Sequence, residues 1–172
     1  MEKTLAVLNQ MEREGVISRY AIGGAVAATL YVEPVQTFDL DVFLLFPSLP
    51  SGLISAGPIF DYLIARGYTA EKELIHIEGW PVQFLPVYNA LTEEAWAEAS
   101  EVTFGATLTR VLSAEHLAAI MLDTGRPKDH ARLLQFLEAE VVNMVKLRSI
   151  LSKHQLEDKW GKFAIRYLDA AP

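Results

Sequence analysis

The chain has 172 residues, 51% of them hydrophobic and 22% charged, with a formal net charge of −7 and no cysteine. That size and balance predict one globular domain, or one with a small helical annex, able to bury roughly 70% of the surface its unfolded chain exposes. The acidic balance argues against extended DNA binding, which needs a basic surface to displace counterions, and the absence of cysteine removes disulfides, thiolate catalysis and thiolate zinc sites together.

The opening MEKTLAVLNQMEREG carries polar and acidic residues throughout and lacks the apolar core of a signal peptide. No apolar run reaches the roughly 18 residues of a membrane span, so the expectation is a cytoplasmic protein with no membrane partner. Leu5, Leu8 and Met11 stand at helical spacing over 3–14, and Gly15 is the stop. Tyr20-Ala21-Ile22 is a short apolar run ending in Gly23-Gly24, followed by a short helix over 25–32 that Pro34 ends. The run FDLDVFLLF, 38–46, is the strongest strand: two aspartates alternate with Leu40 and Val42, and then it becomes wholly apolar, as a central strand does. The Pro/Gly/Ser-rich stretch 47–58 reads as a loop, and 59–66 as a helix closed by Gly67.

Residues 68–77 and 81–87 read as two strands joined at Glu78-Gly79-Trp80. A short acidic helix is expected over 92–99 and one or two strands over 101–111, around Gly105. From Ser113, an N-cap, the chain turns helical: one helix to Asp123 stopped by Gly125, another opened by Pro127, then two more over 141–153 and 155–168. The fold class expected is α+β: a mixed sheet of about four or five strands flanked by helices, then a C-terminal helical bundle. The α/β core covers 1–112 and the helical region 113–172, with no Pro/Gly/Ser linker between them, so both are expected in one compact unit.

Asp39 and Asp41 lie two positions apart on a strand and so share a face, with Cα atoms about 7 Å apart. Two buried like charges repel and lose hydration. A divalent cation between them removes that conflict, and hard carboxylate oxygens suit Mg²⁺ or Mn²⁺. A solvated D-x-D turn is the plainer alternative. Gly23-Gly24, between an apolar run and a helix, offers backbone N–H groups to a phosphate, or serves only as a tight turn.

The series Ile22-Gly23-Gly24, a short helix, then Thr37-Phe38-Asp39-Leu40-Asp41-Val42 resembles the DNA polymerase β-like nucleotidyltransferase superfamily. Within it the chain is most similar to the minimal enzymes grouped with AbiEii/AbiGii-type toxins. LSAEHLAAIMLDTGRPKDHARLLQFL, Leu112 to Leu137, resembles their helical part, in which a lysine–aspartate pair opens a helix. The resemblance spans roughly 18–137. It implies that Gly23 and Gly24 hold nucleotide phosphates, with Thr37 able to bond a phosphate or water. Asp39 and Asp41 would hold Mg²⁺, and Lys128 would reach a nucleoside triphosphate while Asp129 orients it or another basic residue; the plainer alternative is a solvated surface lysine beside an aspartate that favours the positive end of the helix dipole. A hydroxyl of a small molecule, an RNA end or a protein would then attack the α-phosphorus and release pyrophosphate.

The superfamily's third carboxylate has no counterpart on the strand WPVQFLP, where Gln83 takes its place. Glutamine offers a neutral oxygen to a metal but cannot accept a proton. Glu73 or Glu78 could supply the missing charge. Otherwise the chain is a nucleotide-binding or interaction module that acts through a cognate protein, as in a toxin–antitoxin pair. Arg126 and Arg132 make the region around Lys128 the most basic short stretch. No two of His76, His116, His130 and His154 stand at i, i+4, which argues against zinc. Neither a G-x-S-x-G turn nor a P-loop occurs.

Overall fold

Among the described residues a mixed sheet of seven strands, ordered β3-β4-β5-β2-β1-β7-β6, carries the molecule. It is seen in a computed structural model that describes residues 1–33, 39–47, 52 and 54–168. In chain order the elements are α1 (Glu2–Arg13), β1 (Tyr20–Ile22), α2 (Gly24–Ala28), β2 (Leu40–Leu44), α3 (Gly57–Ile64), β3 (Thr69–Glu71), β4 (Leu74–Ile77) and β5 (Trp80–Pro86). They continue with α4 (Ala90–Ala97), β6 (Ser100–Phe104), β7 (Thr107–Val111), α5 (Ala114–Thr124), α6 (Pro127–Glu138), α7 (Met144–Lys153) and α8 (Glu157–Tyr167).

The α+β class stands, and the sheet is larger than expected. The stretch 68–77 is two strands, because the chain reverses at Lys72, whose φ of 56° places a lysine in the left-handed region with no glycine to signal it. The central strand, expected over 38–46, stops at Leu44, before Leu45 and Phe46. β2 runs from Leu40 to Leu44, where its last rung meets Pro86 of β5 and the Val87 N–H donates to the Leu44 carbonyl at 3.0 Å. The helix expected over 25–32 contracts to the five residues of α2.

β2 lies at the centre, antiparallel to β1 and parallel to β5, while β1 runs parallel to β7. β3, β4 and β5 form an antiparallel meander on one flank, and the β6–β7 hairpin closes the other. The apolar stripe of α1, Leu5, Leu8 and Met11, is buried, at roughly 1.5–3 kcal/mol per large side chain. One buried cluster runs from Leu5 through the sheet to Leu117, Leu133, Leu151 and Phe163 of the C-terminal helices. Good caps mark those helices: Ser113 Oγ accepts from the His116 N–H, and Asn143 Oδ1 from the N–H groups of Val145 and Lys146. His130, half-buried, stands against the rings of Phe163 and Tyr167, with both centroids 5.4 Å away.

Candidate active site

Strand periodicity gives β2 and β5 two unlike faces. Leu40, Val42, Leu44, Val82 and Phe84 are buried in the core. Offset from them by one residue, Asp39, Asp41, Phe43, Gln83 and Leu85 line a cleft of about 490 Å³. Its other wall comes from the helical half: Leu117, Ile120 and Met121 of α5, then Arg126, Lys128, Asp129 and Arg132 around the start of α6. Tyr88, 74% exposed, and Thr92 line it as well. The fold thus brings Gly24, Asp39, Asp41, Gln83, Lys128 and Asp129 together from positions as far apart as 24 and 129. Thr37 lies outside the described residues.

The two glycines differ. Gly24 has φ +56°, and a Cβ there would collide with the Asp41 carboxylate. Glycine at this position therefore lets the carboxylate lie against the start of α2. Gly23 is not among the residues lining the cleft. Its N–H donates to the Asp41 carbonyl at 2.9 Å, and a Cβ would strike the Phe43 ring. The N–H expected to meet a phosphate is thus committed to the neighbouring strand, and what Gly23 provides is clearance.

Asp41 and Gln83 are direct register partners across the parallel β2–β5 ladder. Burial pushes the Asp41 carboxyl up to about 6, and the charge of Asp39 adds to the rise, while Lys128, Arg126 and Arg132 pull the other way. Glu73 and Glu78 do not compensate for Gln83. Neither lines the cleft; both are exposed at the turns flanking β4, and Glu78 accepts a hydrogen bond from the Tyr68 hydroxyl at 3.0 Å.

Asp129 is 3% exposed and holds Arg126 with two bonds, Nε to Oδ2 at 2.6 Å and a terminal nitrogen to Oδ1 at 3.1 Å. It also accepts from the Arg126 N–H at 3.3 Å, capping α6 from within. This pairing raises the Arg126 guanidinium above its ordinary range. A buried carboxylate therefore fixes an exposed guanidinium at the rim of the cleft.

The donor set fits a hard divalent ion: the carboxylates of Asp41 on β2 and of Asp39 just before it line one cleft, with a neutral amide in register with Asp41 and cations at the start of the facing helix to receive phosphate. Sequence reasoning had no access to the apolar wall of Leu117, Ile120 and Met121, since helical apolar residues read the same whether they meet core or cleft.

Neither a protein-family profile nor a curated protein sequence matches the chain. Solved structures do. An antigenic nucleotidyltransferase-like protein from Paracoccidioides brasiliensis superposes with a TM-score of 0.67 at 12% identity, over 98% of this chain and 88% of that one. The antibiotic-resistance factor ANT(2'')-Ia in solution gives 0.52 at 15% identity, over 99% and 100% of the two chains. The lincosamide antibiotic adenylyltransferase LnuA, with lincomycin bound, gives 0.50 at 14% identity, over 81% and 98%. At these identities the likeness shows the fold, which is nucleotidyltransferase-like.

Proposed function

We propose that the cleft binds a nucleoside triphosphate with Mg²⁺ or Mn²⁺ and transfers its nucleotidyl group to a hydroxyl acceptor. The observation that carries this reading is the meeting, in one cleft, of Asp41 on β2 and Asp39 just before it with Arg126, Lys128 and Arg132 around the start of α6. Asp39 and Asp41 would hold the ion, which when bound supplies charge neutralisation at the α-phosphate and the departing pyrophosphate. Lys128 and Arg132 bind the outer phosphates, and Arg126 does so with its guanidinium oriented by Asp129. Gly24 gives the Asp41 carboxylate room. Leu117, Ile120 and Met121 exclude water from the acceptor's side of the cleft.

A small hydroxylated molecule is the acceptor we favour over an RNA end or a protein. The net charge of −7 disfavours a long polyanion, and a structural neighbour is an adenylyltransferase with lincomycin bound. Within the superfamily we place the chain beside the AbiEii/AbiGii-type proteins, on the Lys128-Asp129 helix opening.

A second reading is favoured by one observation, the Asp41–Gln83 rung. Where the superfamily has a carboxylate, this chain has an amide that takes no proton. The protein would then bind nucleotide without turnover and act through a cognate protein partner, as in a toxin–antitoxin pair.

Calorimetric titration of each nucleoside triphosphate with Mg²⁺ or Mn²⁺ into wild type and Asp41→Asn tests the site. Metal-dependent binding lost in the variant supports it, and absence of binding to wild type overturns both readings. Nucleotidyl product with hydroxylated acceptors then separates enzyme from module, and Gln83→Asp should raise turnover only if transfer is the native chemistry.

A further inference from the structure

We propose that Glu94, Glu98 and His116 form a second metal site, outside the cleft, for one divalent transition-metal ion of the Zn²⁺ class. Glu94 lies on α4 and Glu98 caps it one turn later, so both carboxylates occupy the same side. His116 stands in the first turn of α5 and is wholly buried. One ligand atom from each of the three lies within 4.8 Å of the others.

The second observation is the state of the imidazole. Its Nδ1 lies 3.0 Å from Ser113 Oγ, the cap of α5. Its Nε2 is buried and has no hydrogen-bond partner among the described residues; Glu94 Oε1 stands 3.6 Å away. Folded proteins rarely leave a buried ring nitrogen unmet. A cation at the centre of the three atoms would meet it. With the proton on Nδ1, directed at Ser113, the Nε2 lone pair faces the cluster, as in metal-binding histidines oriented by a second hydrogen bond.

The outer carboxylate oxygens are already held. Glu94 Oε2 accepts from Lys153 Nζ at 2.6 Å and lies 2.8 Å from His154 Nε2, and Glu98 Oε2 is 3.3 Å from Lys146 Nζ. These contacts brace the carboxylates from outside and leave Glu94 Oε1 turned toward His116. Imidazole nitrogen with carboxylate oxygen suits Zn²⁺ better than Mg²⁺, and three protein ligands leave a further position for water. The sequence argued against zinc because it has no paired histidines; here the second and third ligands are glutamates that only the fold brings to His116. α4 and α5 also line the cleft, through Thr92 and Leu117, so the ion would fix two of its walls relative to each other.

The three ligands lie outside the nucleotide cleft, so metal binding here can be measured with the cleft disabled. Chelator-stripped, full-length Asp39→Asn/Asp41→Asn protein lacks the cleft's carboxylate pair. Dialysed against Zn²⁺, it should retain one equivalent, melt at a higher temperature with the metal than without, and give visible Co²⁺ bands on substitution. In the same background Glu98→Gln, at a half-exposed position, and Glu94→Gln should each weaken retention by about 10–100-fold or more, with far-ultraviolet circular dichroism confirming the fold. No retained equivalent, or retention unchanged by both glutamine variants, overturns the proposal.

Discussion

The two faces of β2 and β5 share one backbone and differ by a single-residue offset. One face, Leu40, Val42 and Leu44 with Val82 and Phe84, is continuous hydrocarbon. The other, Asp39, Asp41 and Gln83 with Phe43 and Leu85, faces the cleft. The apolar face anchors the strand where water is excluded, and that placement is what makes the acidic face unfavourable to ionise. Burial is the leading cause of the upward shift of Asp41. Stability and chemistry are therefore opposed within a few residues, as expected where a site is built against the core.

The sharpest way to break this contrast is to cut into the apolar face. Leu40→Ala should destabilise the fold by about 2–5 kcal/mol in denaturant melts. Asp41→Asn, one residue on, should act in the opposite direction. The folded carboxyl titrates at about 6 against an ordinary 3.8, so between those values the native state holds a proton that the unfolded chain has lost. Stability then falls as pH rises from about 4 through 6. In metal-free buffer the Asn variant should gain roughly 2–3 kcal/mol at pH 8 and nothing at pH 3. Equal melting temperatures for variant and wild type at pH 8 would remove the contrast.

Gly24→Ala should lose about 1–2 kcal/mol, since it forces a side chain into the left-handed region and displaces the Asp41 carboxylate. Its loss of metal–nucleotide affinity should exceed its loss of stability, which calorimetry beside melts would show. Lys128→Ala sharpens the comparison from across the cleft. The residue is exposed, so stability should stay within about 0.5 kcal/mol while triphosphate affinity falls.

Much of this arrangement could be read from residue order. The alternation in FDLDVF assigned the aspartates to one face, and Gly125 with Pro127 marked the boundary between α5 and α6 that carries the cations. What could not be read depended on partners distant in the chain. The β3–β4 reversal uses a lysine at φ 56°, where composition suggests no turn. The commitment of the Gly23 N–H to Asp41 follows from the β1–β2 pairing, which local sequence does not encode. Glu94, Glu98 and His116 meet because α4 rests on α5, and neither helix carries a mark of the other. Gln83 was legible as a departure, and the register adds that it stands directly beside Asp41.

α5 touches α2, α4, α6, α7 and α8, while four of its residues, Leu117, Ile120, Met121 and Thr124, line the cleft. That position has a consequence for amide exchange. An opening that released α5 would have to part five neighbours, so its amides should exchange with deuterium only when the whole chain unfolds. α8, which rests on α5 and α7 and exposes Ile165, should exchange earlier through local fraying. If α5 and β2 show the same slowest exchange free energy, sheet and helices unfold as one cooperative unit, and the cleft between them has no hinge of its own.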